Sequence, residues 1–97
     1  MMRGYPGQRF RRPPKPRMAQ GRRYNADDHA AIDAAADRFF ESTGLPDGKA
    51  WIEIHFGPDE PYIVLNIGPE WRDPVPALPE RFEGYAIYSE PGRVEFA

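Results

Sequence analysis

The side chains best able to do chemistry in this 97-residue chain are cations, and they stand close together. Arg3, Arg9, Arg11, Arg12, Lys15, Arg17, Arg22 and Arg23 all fall within residues 1–24, with no carboxylate among them. Seven of these eight are arginine, whose planar guanidinium holds phosphate or carboxylate through paired donors and stacks on rings and bases. Tyr5, Phe10 and Tyr24 are interleaved with them, as on surfaces where a cationic track follows a backbone while bases stack on aromatic rings. The chemistry implied is binding. Three occupants suit such an arm: nucleic-acid phosphates, a neighbouring protein subunit, or the chain's own acidic remainder.

Residue types suited to catalysis are sparse. The hydroxyl nucleophiles are Ser42, Thr43 and Ser89, there is no cysteine, and the bases of the usual kind are His29 and His55. Nucleophilic catalysis needs a hydroxyl or thiol beside an oriented base, and neither histidine stands in such a local motif. Zinc needs three or four ligands at workable spacing, which two histidines 26 positions apart do not supply. His29 with Asp33, and Glu53 with His55, read as ordinary polar pairs. Fifteen acidic residues make coincidental pairs such as Asp27/Asp28 and Asp59/Glu60 unavoidable, and Asp59/Glu60 reads as a solvated turn. Gly44, Gly48 and Gly57 match no phosphate-binding loop. The expectation is a protein that is not an enzyme, with no cofactor and no metal.

The net charge of −2 hides a sharp asymmetry. Residues 1–24 carry +8, whereas residues 25–97 hold five basic and fifteen acidic side chains, a net of −10. This divides the chain into a basic Pro/Gly-rich arm, 1–24, and one small acidic domain, 25–97. A domain of that size buries roughly 60% of its unfolded surface and has little stability to spare. No apolar run approaches the roughly 18 residues of a membrane span. The start of the chain has the charges of a signal peptide without an apolar stretch behind them. The location expected is cytoplasmic or virion, with no membrane partner.

In the arm, Pro6, Pro13, Pro14 and Pro16 bar a helix, and Gly4, Gly7 and Gly21 raise the entropy lost on ordering. Arg12 and Lys15 precede prolines and are pushed towards extended geometry. The free arm is expected to be disordered unless bound, with polyproline character at residues 13–16 and an extended reach of about 75 Å.

The elements behind the arm follow from periodicity. Residues 25–43 predict a helix. Asp27 and Asp28 suit its cap or first turn, Ala30, Ala31, Ala34, Ala35 and Ala36 favour it, and Gly44, Leu45 and Pro46 end it. Ile32, Ala35, Ala36 and Phe39 fall on one side, with Asp33, Asp37 and Glu41 opposite. Residues 49–56 alternate: Ala50, Ile52, Ile54 and Phe56 point one way, Trp51, Glu53 and His55 the other. Residues 57–61 form a turn, and 62–67 a second strand with Ile63, Leu65 and Ile67 inward. A Pro-rich connection follows, pinned by Trp71, Val75 and Leu78. Residues 84–89 are expected as a third strand, Pro91-Gly92 as a turn, and 93–96 as a short fourth strand. The fold class expected is α+β: one N-terminal helix on a three- to four-stranded antiparallel sheet, preceded by the extended arm. The sheet face away from the helix would carry Trp51, His55 and Tyr62, with Glu53, Val64 and Tyr85 or Tyr88. Being aromatic, it is either covered by the Pro-rich loop or kept for a partner.

Leu78-Pro79, then Gly84-Tyr85-Ala86-Ile87, then Gly92-Arg93-Val94 and Ala97, resemble a pattern in small bacterial helix-plus-hairpin domains of unknown function. Some of these lie beside trypsin-like protease domains and many stand alone. The resemblance implies an α-β-β-β order and carries no catalytic residue. This chain has Ala86-Ile87 where those domains tend to have Pro-Val.

The functional expectation is a non-enzymatic interaction or assembly protein, such as a phage decoration or minor capsid component. Its arm would bind a neighbouring subunit of a larger protein assembly through Arg9, Phe10, Arg11, Arg12, Arg17, Arg22 and Arg23. Trp51, His55 and Tyr62 would form a second contact on the sheet. One alternative is a nucleic-acid-associated protein whose arm binds phosphates. Another is an inhibitor or anti-defence protein using its acidic body against a basic site.

Overall fold

A computed structural model describes residues 10–14, 24–57, 59–71, 73–75 and 77–92. The expected fourth strand at 93–96 lies outside these residues, as do Arg9, Arg17, Arg22 and Arg23.

The helix α1 spans Ala26–Thr43. Its start is fixed by Asn25 rather than by Asp27 or Asp28 at the cap position. The Asn25 side chain accepts from the Asp28 N–H at 2.8 Å, and the Asp28 carboxylate accepts from the Asn25 N–H at 2.9 Å. This reciprocal box satisfies two otherwise unpaired donors. Asp27 and Asp28 still occupy the first turn, where the helix dipole favours negative charge. The end is set by Gly44, whose φ of 73° is left-handed and whose N–H donates to the Glu41 carbonyl. Ile32, Ala35, Ala36 and Phe39 are buried, while Asp33, Asp37 and Glu41 face solvent.

Three long or moderate strands and one short one follow: β1 (Ala50–Phe56), β2 (Pro61–Ile67), β3 (Arg81–Phe82) and β4 (Tyr85–Pro91). The sheet order is β1-β2-β4-β3. β1 and β2 pair antiparallel, with Ile52 opposite Leu65 and Ile54 opposite Ile63. β2 and β4 pair parallel, with Ile63 beside Ile87 and Leu65 beside Ser89. The fold is the expected helix on a mostly antiparallel sheet, with one departure: the β2–β4 pairing is parallel, which makes the sheet mixed. Parallel neighbours need a long crossover, and the Pro-rich stretch after β2 supplies it without a helix. The hairpin β3–β4 was not expected. Glu83 at φ 52° and Gly84 at φ 88° form its two-residue turn, the left-handed pair that a tight hairpin requires.

The core lies between α1 and one sheet face. Ile32, Ala36, Phe39, Leu45, Ala50, Ile63, Leu65, Ile67 and Ile87 form it, with Ile52, Ile54, Trp71, Val75, Leu78, Phe82 and Tyr85 packed against it. Each large side chain buried here contributes on the order of 1.5–3 kcal/mol. The crossover thus closes the helix side of the sheet through Trp71, Val75 and Leu78. Tyr85 belongs to this side, and Tyr88 to the other.

Candidate functional site: an aromatic sheet face and an arginine socket

The face opposite α1 is built by strand alternation. β1 presents Trp51, Glu53 and His55, β2 presents Tyr62, Val64 and Asn66, and β4 presents Ala86, Tyr88 and Glu90. His55 lies directly across from Tyr62 in the β1–β2 register, and their rings stack at 5.1 Å with planes 5° apart. Tyr62 meets Tyr88 edge-on at 5.2 Å and 88°. The Arg11 guanidinium then lies 4.7 Å above the Tyr88 ring. His55, Tyr62, Tyr88 and Arg11 form one row across the sheet, held by ring contacts and a cation–π contact. Beneath the row Val64 is fully buried and Ala86 nearly so. His55 remains exposed, with its Nε2 3.4 Å from the Glu53 carboxylate.

Burial pushes the Tyr62 phenol above its ordinary value of 10, with the neighbouring Tyr88 and Glu90 adding to the effect. Tyr62 is therefore a neutral hydroxyl at physiological pH. Trp51 closes the other end of the face. Its ring packs so tightly on Gly92 that a Cβ there would come within 2.5 Å of it, and a Cβ on Gly68 would sit 3.2 Å away. Asn66 lies beside them, 5% exposed, and its Nδ2 has no hydrogen-bond partner among the described residues.

The arm contributes a socketed residue rather than a free one. The Ser89 N–H donates to the Arg11 carbonyl at 2.8 Å, and the Arg11 N–H donates to Ser89 Oγ at 3.2 Å. Arg11 Nη1 donates to the carbonyls of Glu80 at 3.1 Å and Ile87 at 3.0 Å. Immediately before this point the Ile87 N–H donates to the Glu80 carbonyl. Two short segments thus divide the outer edge of β4: the β3 side reaches as far as Glu80, and the arm takes over at Arg11. An open edge invites pairing with another chain, and here the chain covers it itself. Of the other arm residues named from the sequence, Phe10 and Arg12 are described and exposed.

Tyr24 marks a second anchor. Its hydroxyl donates to the Gly57 carbonyl at 2.7 Å, and its ring lies 5.0 Å from Phe56. His29 lies 4.1 Å from the same Phe56 ring, so its aromatic contact replaces the expected pairing with Asp33. An open depression of about 220 Å³ adjoins it, lined by Tyr24, Asp28, Glu60, Pro61, Gly84 and Tyr85. Its two carboxylates are already engaged, Asp28 in the helix cap and Glu60 with Arg81 at 2.9 Å.

The hydroxyls are engaged as well. Ser42 and Thr43 donate to the Phe39 and Phe40 carbonyls within the helix, and Ser89 accepts from Arg11. Among the described residues no three histidine, aspartate or glutamate side chains come together as a metal site, and no helix is long and apolar enough to cross a membrane. Sequence reasoning named Arg11, Trp51, His55 and Tyr62 and missed Ser89, Tyr88's part in the row and Tyr24's anchor. A small hydroxyl residue between Tyr88 and Glu90 in a strand was the available signal for Ser89. Comparison of the chain with family models, with characterised proteins and with solved structures finds no match.

Proposed function

We propose that this protein is a non-catalytic binding module that docks on a larger protein assembly through the Trp51–His55–Tyr62 face. The observation that supports this reading is the His55–Tyr62–Tyr88–Arg11 row. α1 and the crossover close the opposite face with apolar side chains, whereas this face presents rings that carry polar atoms. Large amphipathic rings with a neighbouring arginine are the side chains that carry most binding energy at protein interfaces. The arm's remaining cations would add rim charge, which governs encounter rate and salt dependence more than affinity.

The test is capture from native lysate by the full chain, with and without nuclease and at low and moderate salt. A discrete protein retained after nuclease, and lost with His55→Ala, supports the reading. His55 is exposed, so its replacement is expected to change stability by less than about 1 kcal/mol. Recovery of nucleic acid that disappears with salt would instead favour phosphate binding by the arm.

A further inference from the structure

We infer that the outer edge of β4 is a recognition site for an extended arginine-bearing strand, and that its occupant in trans is the arm of a second copy of this chain. The site has the parts that such a ligand needs. The Ser89 N–H and Oγ bind the carbonyl and N–H of one extended residue. The Glu80 and Ile87 carbonyls take its guanidinium, and the Tyr88 ring lies beneath the same group. Arg11 Nη1 donates to both carbonyls while the guanidinium carbon lies over the Tyr88 ring, a combination that suits the delocalised, weakly hydrated guanidinium better than a compact ammonium. Main-chain pairing at a sheet edge with one side-chain pocket is the usual form of strand addition.

The structure also shows which segment fits. Arg11 occupies the edge, and it makes its contacts with residues 69 to 78 positions away in sequence. Every copy carries the same segment, joined to Tyr24 by residues 15–23. An element held on its own domain by a few contacts and a connector is the kind that copies exchange. In exchange the contacts are identical, and the balance is set by concentration. The tethered arm competes with one supplied in trans at an effective concentration set by the length of the chain between Arg11 and Tyr24, on the order of millimolar for short tethers.

Two measurements on the purified full-length chain test this, and neither needs an outside partner, so their failure is separate from failure of the assembly reading. In the first, a labelled peptide of residues 8–16 is titrated into the folded Arg11→Ala chain. Saturable binding is expected, at least about tenfold tighter than to the wild-type chain, whose site is filled. It should be lost when the peptide carries alanine at position 11 and kept when the alanine is at position 12. Equal binding of the two alanine peptides would show simple attraction of cations to the acidic body and would overturn the socket. So would no binding to an Arg11→Ala chain that retains its circular dichroism. In the second, sedimentation is followed up to about millimolar protein. A dimer that grows with concentration in the wild type and is absent from Arg11→Ala is expected. A wild-type chain that stays monomeric throughout, or a dimer unaffected by Arg11→Ala, would overturn exchange between copies.

Discussion

The two faces of the sheet are closed by different means. On the helix side, Phe39, Ile32, Ile63, Leu65 and Ile87 are almost wholly buried, and α1 and the crossover exclude water from them. On the other side, Val64 and Ala86 are just as buried, yet no second layer of secondary structure lies there among the described residues. Side chains of the sheet itself, with one arginine from the arm, do the covering. The first face is sealed by apolar burial, aliphatic and aromatic together, which is non-directional and proportional to area. The second relies on ring stacking, a cation over a ring and a few hydrogen bonds, which are weaker and directional. A face built that way keeps the fold while leaving polar edges for a partner.

The sharpest way to break the comparison is to empty the sealed face. Phe39→Ala should destabilise the chain by about 3–5 kcal/mol in denaturant melts, because the site is dry and surrounded on all sides. In a domain this small such a loss approaches the whole stability.

Gly92→Ala should cost about 1–3 kcal/mol, because the new methyl must displace the Trp51 ring. The Trp51 fluorescence should shift with it. An unchanged spectrum and melt would mean that Trp51 does not lie over Gly92.

Arg11→Ala should cost about 1–2 kcal/mol, the worth of two charge-assisted bonds, one exposed and one part-buried. Because the contacts of Arg11 are with Glu80, Ile87, Tyr88 and Ser89, its effect should be confined to β4 and the Tyr88–Tyr62 row.

The smallest effect belongs to the exposed ion pairs. Arg38 donates to the Glu83 carboxylate at 2.7 and 2.5 Å, and this holds the Glu83 carboxyl below its ordinary 4.5. Lys49 does the same to Glu70. A depressed carboxylate favours the folded state when ionised, so the contribution is fully present above pH 4.5 and is lost as pH falls through the depressed value. Melts from neutral to acid pH should show a slight fall in that window, reduced in Glu83→Gln. Both pairs face solvent, so salt should weaken them.

How far the fold was legible follows from these same residues. The helix, β1 and the inner face of β2 were readable because apolar residues recur with the right period. The parallel pairing of β2 with β4 was not, since alternation reports which face is buried and not strand direction. A hint was present in β2: from Ile63 to Ile67 every residue is buried, as in a central strand, and its sequence is nearly continuous in apolar residues. β3 is two residues long and too short for any periodic signal. The aromatic face was legible as a pattern, and the choice between loop cover and an open face was not, because Trp71, Val75 and Leu78 could have packed on either side. The docking of Arg11 joins residues 78 positions apart through backbone groups, which composition does not encode. Its charge and neighbouring prolines pointed instead to a free arm.

The most direct test of this account is amide hydrogen exchange at Ser89 in the full-length chain, compared with Arg11→Ala. Its N–H is held by the Arg11 carbonyl at the sheet edge. The account predicts a protected Ser89 amide in the wild type that exchanges markedly faster in Arg11→Ala, while the Ile63 and Leu65 amides inside the sheet keep their protection. A Ser89 amide that exchanges at an unprotected rate in the wild type would show that the arm does not close the edge of β4, and the account of the second face would fall with it.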